Sequence, residues 1–235
     1  MAASDKKYGF IPASDLEGSD RIILSISGMD KQGKTHFALT APGPLALFST
    51  DIGEEGVVEK FGDKDIQLLR LEHVDEDDPT TEAEGEFDRF KEAYYYALKG
   101  KRFRTLVIDT ATEIWELLRL ARFGRLTQVM PYQYGPVNKE YRELIRDAYK
   151  QDKNIVLIHK MKPKYVNDKR TGEYERSGFG DTGFLVQVNA EIYRDEDGDF
   201  VLWVQNCRKN PDLAGEELVG PMCSFDFLSS MANGG

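Results

Sequence analysis

Cysteine is nearly absent from this chain of 235 residues, which has only Cys207 and Cys223. Two thiols cannot build a disulfide framework, and neither stands in a Cys-x-x-Cys or Cys/His spacing that would hold zinc, so both are expected as reduced, partly buried thiols. Long apolar runs are missing too. Nothing approaches the roughly 18 residues that a membrane span needs, and no apolar stretch follows Lys6-Lys7 as it would in a signal peptide. The expectation is a cytoplasmic protein without membrane contact. Positive charge is also short, with a formal net charge of −10. That excludes coating nucleic acid through overall charge, and any DNA-binding surface must be local.

What is present is an alternation of buried strands and helices. Residues 1–20 are polar, with one apolar knot at Tyr8-Gly-Phe-Ile-Pro12, and read as an arm; residues 21–235 read as one α/β domain. Arg21–Ser27, Leu45–Ser49, Ile66–Leu71, Thr105–Asp109 and Ile155–His159 have the composition of buried strands. Helices are predicted from Lys34 to Leu39, from Phe87 to Leu98, after Thr110 and from Val137 to Ala148; Thr110 and Glu113 form a capping-box pattern. Glu72–Glu86 is acidic and reads as a surface loop, while Val186–Arg194 and Phe200–Gln205 read as an antiparallel hairpin. Asp195, Asp197 and Asp199 do not make a calcium loop, because no glycine follows Asp199 and position twelve is Asn206. The fold class is therefore α/β: a mostly parallel sheet flanked by helices, with a C-terminal antiparallel hairpin. Such sheets place ligands at the carboxyl ends of their strands, where Gly28, Asp51, Asp109 and His159 all fall.

Gly28-Met29-Asp30-Lys31-Gln32-Gly33-Lys34-Thr35 fits G-x-x-x-x-G-K-[ST] completely, with a strand before it and a helix after it. In this motif the glycines let successive backbone N–H groups curl toward phosphate oxygens. Lys34 then sits against the β- and γ-phosphates and the Thr35 hydroxyl ligates Mg²⁺, so ATP with Mg²⁺ is the expected cofactor. Asp109, closing a β-prone run, is the second metal-side candidate, although a carboxylate at a helix N-terminus would satisfy the same position. No Asn-Lys-x-Asp guanine motif and no ABC-type signature occurs.

The order and spacing of these parts over about residues 21–210 resembles the RecA-like P-loop ATPase core, and within it the short phage ATPases linked to single-strand annealing and recombination. The resemblance implies a catalytic carboxylate at Asp51, with Glu54 or Glu55 as substitutes, and a γ-phosphate sensor at His159. It implies a cation reaching the neighbouring subunit's nucleotide at Arg208 or Lys209. It also implies two DNA-contacting segments. The first is Arg122–Gly135, with Arg122 and Arg125. The second is Lys160–Gly180, read as a long loop, where Lys160, Lys162, Lys164, Lys169, Arg170 and Arg176 outnumber Asp168, Glu173 and Glu175. Tyr165, Tyr174 and Phe179 could stack unpaired bases there.

Phe10-Ile-Pro-Ala13 resembles the F-x-x-A motif by which such cores join end to end, which makes Phe10 and Ala13 the candidate assembly anchors. The implied partners are single-stranded DNA, further copies of the chain in a filament or ring, and a single-strand-binding protein, in the host cytoplasm if the gene is a phage's. Two rivals stand beside this reading: a P-loop kinase acting on a small molecule, and a nucleotide switch that recruits a replication protein.

Overall fold

A computed structural model describes residues 8, 12, 18–72, 74, 79–125 and 129–234. Five of the segments read as strands become parallel strands, the edge one half exposed: β1 (Ile23–Ser27), β2 (Leu45–Ser49), β3 (Ile66–Arg70), β4 (Thr105–Asp109) and β5 (Asn154–His159). They lie with β8 (Val188–Arg194), β9 (Phe200–Cys207) and β10 (Glu217–Val219) in one eight-stranded sheet of order β10-β9-β8-β1-β5-β4-β2-β3. The pairs from β8 across to β3 are parallel, while β8–β9 and β9–β10 are antiparallel. Every residue of β1, β2, β4 and β5 is buried, as strands covered on both faces require.

Helices supply that cover. On one face, Phe37 and Leu39 of α1 (Lys34–Leu39) pack with Phe225 and Leu228 of the last helix against Leu24, Ile26, Val107 and Ile158. On the other, α2 (Pro79–Lys99), α3 (Ala111–Phe123) and α4 (Tyr134–Ala148) pack against Ile23, Phe48, Ile108 and Leu157. The Thr110 hydroxyl accepts from the Glu113 amide at 3.2 Å and caps α3, as the sequence pattern predicts.

Three segments depart from expectation. The acidic stretch is not all loop, because α2 starts at Pro79 and its buried stripe begins at Ala83, one turn before Phe87. Alanine is too small to stand out as a core residue, yet it fills the register of a helix that proline at its first position opens. Residues 160–180 are not a long loop either. They form a separate antiparallel hairpin, β6 (Met161–Val166) and β7 (Lys169–Arg176), and then a short helix α5 (Thr182–Leu185). Its two-residue turn is Asn167-Asp168, with φ of 50° and 60°, the pair of positive values that a tight hairpin turn of matching twist demands. Finally, β10 and α6 (Phe225–Asn233) complete the fold beyond the expected hairpin.

The segment that leads into β1 and the last helix meet at the amino end of β1. Lys209 Nζ donates to the Ser19 carbonyl at 2.6 Å and also to Asn233 Oδ1, and Asn233 Nδ2 donates to the Asp20 carbonyl at 2.9 Å. Among the described residues, no helix is long and apolar enough to cross a membrane.

The aromatic packing of α2 on β2 sets a stability test. Phe90 is fully buried, with ring centroids 5.5 Å from Phe48 and 5.8 Å from Tyr94. Phe90→Ala should lower the unfolding free energy by about 3 to 5 kcal/mol in urea titration. Leu68→Ala, at a 41% exposed position on β3, should cost less than about 1 kcal/mol.

Candidate functional site

The phosphate loop follows β1 directly, and its two glycines are required for different reasons. A Cβ on Gly28 would lie 2.4 Å from the Ile192 carbonyl oxygen of β8, so the backbone passes too close for any side chain. Gly33 has φ of 92°, and a Cβ there would lie 2.4 Å from the Phe200 ring. Lys31, at φ of 62°, helps curl the loop before α1 begins at Lys34. Lys34 Nζ donates to the Gly28 and Met29 carbonyls at 2.9 and 2.7 Å, which holds the ammonium over the mouth of its own loop. Burial pulls the Lys34 pKa down, against the opposing charges of Asp30, Asp109 and Asp51.

The Thr35 hydroxyl donates to Asp109 Oδ2 at 2.6 Å. Since β5 lies between β1 and β4, this bond reaches across one strand to tie the loop to the end of β4. Asp109 is 3% exposed. Burial pushes its pKa up to about 6; the Thr35 hydrogen bond opposes the shift, and the negative charge of Asp51 adds to it. A buried carboxyl that resists ionisation, hydrogen-bonded to the hydroxyl at the start of α1, is a donor set that fits Mg²⁺ with a nucleotide's phosphates: the two groups would hold the cation, and the cation would favour the ionised Asp109.

The connection after β2 closes the site's far side. Thr50 Oγ1 accepts from the Thr110 amide at 2.9 Å, which locks the β2 and β4 ends together. Asp51 is exposed and accepts at Oδ1 from the Gly53 amide at 2.8 Å. Glu54 is buried at 2% exposure, with one oxygen held by Ser49 Oγ and the other by Arg70 Nε, each at 2.6 Å. Burial alone would raise the Glu54 pKa, but the bonds from Ser49, the backbone and Arg70 outweigh it and hold the group below its ordinary value. Of the three carboxylates considered for water activation, Glu54 is thus committed to structure. Asp51 is near enough to Lys34 and Asp109 to influence both.

With that geometry in place, comparison with protein families matches residues 21–180 to the AAA domain. The chain belongs to the AAA-domain family. Its matched segment runs from the start of β1 through the phosphate loop, Asp109 and the β6–β7 hairpin. Nucleotide binding and hydrolysis are the activities such a domain carries, and the mixed sheet with its flanking helices is a P-loop fold. No curated protein matches the chain.

The other candidate residues of this AAA domain are more widely spread: His159 pairs in register with Ser27 just before the loop and Lys160 is near enough to act on the Lys34 charge, whereas Arg208 and Lys209 lie away from it. His159 closes β5 and is fully buried; Nδ1 lies 3.2 Å from the Ser177 carbonyl, and Nε2 has no hydrogen-bond partner among the described residues. Burial, with Arg176 nearby, drops its pKa to about 3, so the ring is neutral at physiological pH. Its one N–H then goes to Ser177, and sensing a phosphate would need the other tautomer. Arg208 lies beyond the far end of β9, where Nη2 donates to the Phe184 carbonyl at 2.6 Å. Lys209 is used in holding the chain ends.

Most of the cations proposed for DNA are partly neutralised. Arg122 pairs with Glu84 and Glu140 at 2.8 and 3.2 Å, while Lys160, Lys162 and Lys164 pair with Glu113, Glu175 and Glu173. Arg170 lies over the Tyr174 ring at 5.8 Å, and Lys169 and Arg125 are at the surface. Arg176 differs from these. It is half-buried, its Nη1 donates to Asn189 Oδ1 at 3.0 Å and Ser25 Oγ at 3.3 Å, and it has no carboxylate partner among the described residues. Phe10 and Ala13 lie outside the described residues. Sequence reasoning did not single out Phe200, Arg194 or His36, which stand beside the loop; Phe200 and Arg194 come from the hairpin some 160 positions downstream, and no local pattern announces that contact.

The raised Asp109 pKa makes a signed pH prediction. Between pH 4 and 6 the folded protein keeps a proton on Asp109 that the unfolded chain has released, so this group's contribution to stability falls as pH rises through that window and is level above it. Asp109→Asn should therefore be more stable than the wild type at pH 7.5 without Mg²⁺, by about 1 to 3 kcal/mol. The difference should vanish below pH 4, with denaturant titration at the two pH values as the measurement.

Proposed function

We propose that this AAA domain hydrolyses ATP with Mg²⁺ in a manner stimulated by single-stranded DNA, and that it self-assembles to assist annealing or recombination, in the way of the short phage ATPases it resembles. The observation that supports a DNA partner is a groove of about 800 Å³ between the β6–β7 hairpin and the face of β8 and β9. Lys162, Lys164, Tyr174, Arg176, Phe184 and Arg208 all line it. Arg176 supplies a cation that no carboxylate neutralises among the described residues. Phe184 is 83% exposed and Tyr174 42% exposed, flat surfaces at the groove wall on which bases can stack. Ser27, at the end of β1 just before the phosphate loop, lines the same groove. A strand lying there would be one residue from the nucleotide site, which gives a route for stimulation.

At the nucleotide, the proposed roles follow the geometry. Lys34 supplies positive charge at the β- and γ-phosphates, and Thr35 with Asp109 would hold Mg²⁺, whose chemistry when bound is to neutralise developing phosphate charge. Asp51, whose carboxylate is exposed and coupled to Lys34, is the residue proposed to orient and deprotonate the attacking water. Arg208, at the sheet end away from its own loop, is the residue proposed to act on a neighbouring copy's nucleotide.

The test is ATPase turnover with and without single-stranded DNA. Lys34→Ala should lose hydrolysis, with turnover reduced at least about 100-fold. Asp51→Asn should reduce kcat at least about 100-fold with normal melting, whereas Glu54→Gln should mainly lower the melting temperature. Arg176→Ala should remove stimulation by DNA and flatten the salt dependence of DNA binding. A basal rate that DNA leaves unchanged in the wild type would overturn the DNA reading and favour a phosphotransferase acting on a small molecule.

A further inference from the structure

The Thr35–Asp109 pair fixes the direction in which a nucleotide lies. A metal held by that pair, and with it the terminal phosphates, would lie on the β4 side of the loop. The nucleoside end would then leave on the opposite side, past Gln32 and Gly33, where the β8–β9 hairpin stands. That hairpin is locked to the loop at two points. The Arg194 amide donates to Gln32 Oε1 at 2.7 Å, and the Phe200 ring packs so closely on Gly33 that no Cβ would fit.

At this place three flat groups are layered. The Arg194 guanidinium carbon lies 4.3 Å from the centre of the Phe200 ring, and the His36 ring is stacked on Phe200 at 5.5 Å with 21° between planes. Phe61 leans on His36 at 5.1 Å. Burial and the neighbouring charges of Lys60 and Arg194 hold the His36 pKa below its ordinary value, so Arg194 and not His36 carries the charge there. Arg194 itself is exposed, its side chain donates only to the Gly198 carbonyl at 3.4 Å, and it has no ion pair among the described residues. A guanidinium held over an aromatic ring still has a planar face turned away from it, and a planar cation of this kind stacks on heteroaromatic rings.

We propose that Arg194, backed by Phe200 and His36, is the platform on which the nucleobase of the bound nucleoside triphosphate stacks. The proposal rests on the reading of the phosphate loop as the nucleotide site and adds the base-recognising residues to it. Stacking reads ring area rather than the hydrogen-bonding edge, so the site selects purines over pyrimidines and discriminates little between adenine and guanine.

The experiment is calorimetric binding of Mg²⁺ complexes of a non-hydrolysable ATP analogue and of inorganic tripolyphosphate, which has the phosphates without the base. Arg194→Ala, at an exposed position, should weaken the ATP analogue about tenfold and leave tripolyphosphate within about twofold. Phe200→Leu keeps the bulk against Gly33 without the flat ring; if it retains the wild-type melting temperature it should show the same split. The wild type should bind the GTP analogue within about threefold of the ATP analogue, and the CTP analogue about tenfold more weakly. Equal losses for both ligands would make Arg194 a phosphate contact and overturn the proposal, as would an unchanged ATP affinity. The phosphate-loop reading fails separately, if wild type binds neither ligand or if Lys34→Ala leaves tripolyphosphate binding intact.

Discussion

The hydrogen bond from the half-buried Thr35 hydroxyl to the buried Asp109, 2.6 Å long, joins two parts of the chain that the sheet keeps apart by the width of a strand. It exists only because β5 sits between β1 and β4 while all three strands end level, a register in which Ser27 pairs with His159 and Asp109 with Ile158. Were the strand ends staggered by two residues, the hydroxyl could not reach the carboxylate. The cost is a carboxyl that is hard to ionise in so dry a place. The position therefore favours whatever brings positive charge to it, and Lys34, held over the loop by its own backbone carbonyls, stands close by. Geometry at the strand ends and electrostatics at the site are one constraint.

How far the sequence revealed this depended on whether the information was local. The buried strands and the phosphate loop are written in contiguous residues, and β2, β4 and α1 occur with the boundaries that composition implies. Asp109 was legible because it closes a continuous apolar run. The first turns of α2 were not, since Ala83 carries the stripe and its neighbours are Glu82 and Glu84. The role of Glu54 was also hidden, because nothing in Asp51-Ile-Gly-Glu54 tells that the glutamate turns inward to Ser49 and Arg70 while the aspartate faces water.

Counting charges along the chain misled most at residues 160–180. Six cations against three acids look like an open basic loop, but the alternation of the two classes is what an antiparallel pair uses: Lys162 faces Glu175, and Lys164 reaches Glu173. Exposed pairs of this kind add little to stability and leave little field. What sets Arg176 apart is its position at the root of the hairpin, where the strand returns to the sheet and its neighbours are the neutral side chains Ser25 and Asn189. A cation's worth to an anionic partner is settled by who sits beside it in space, which a linear count cannot give.

The two described ends of the chain are stitched together by Lys209 and Asn233 at the amino end of the sheet, away from every residue placed at the nucleotide. Gly18 and Gly234 line one and the same cavity there. The folded segment from Gly18 to Gly234 thus begins and finishes at one place, and its order of elements could be cut open elsewhere. A circular permutant with a short bridge between those ends and new termini at the exposed Gly198 turn keeps every strand neighbour of the sheet. It would part only the β8–β9 connection, and so separate what the hairpin's covalent continuity contributes to the loop from what its packing contributes.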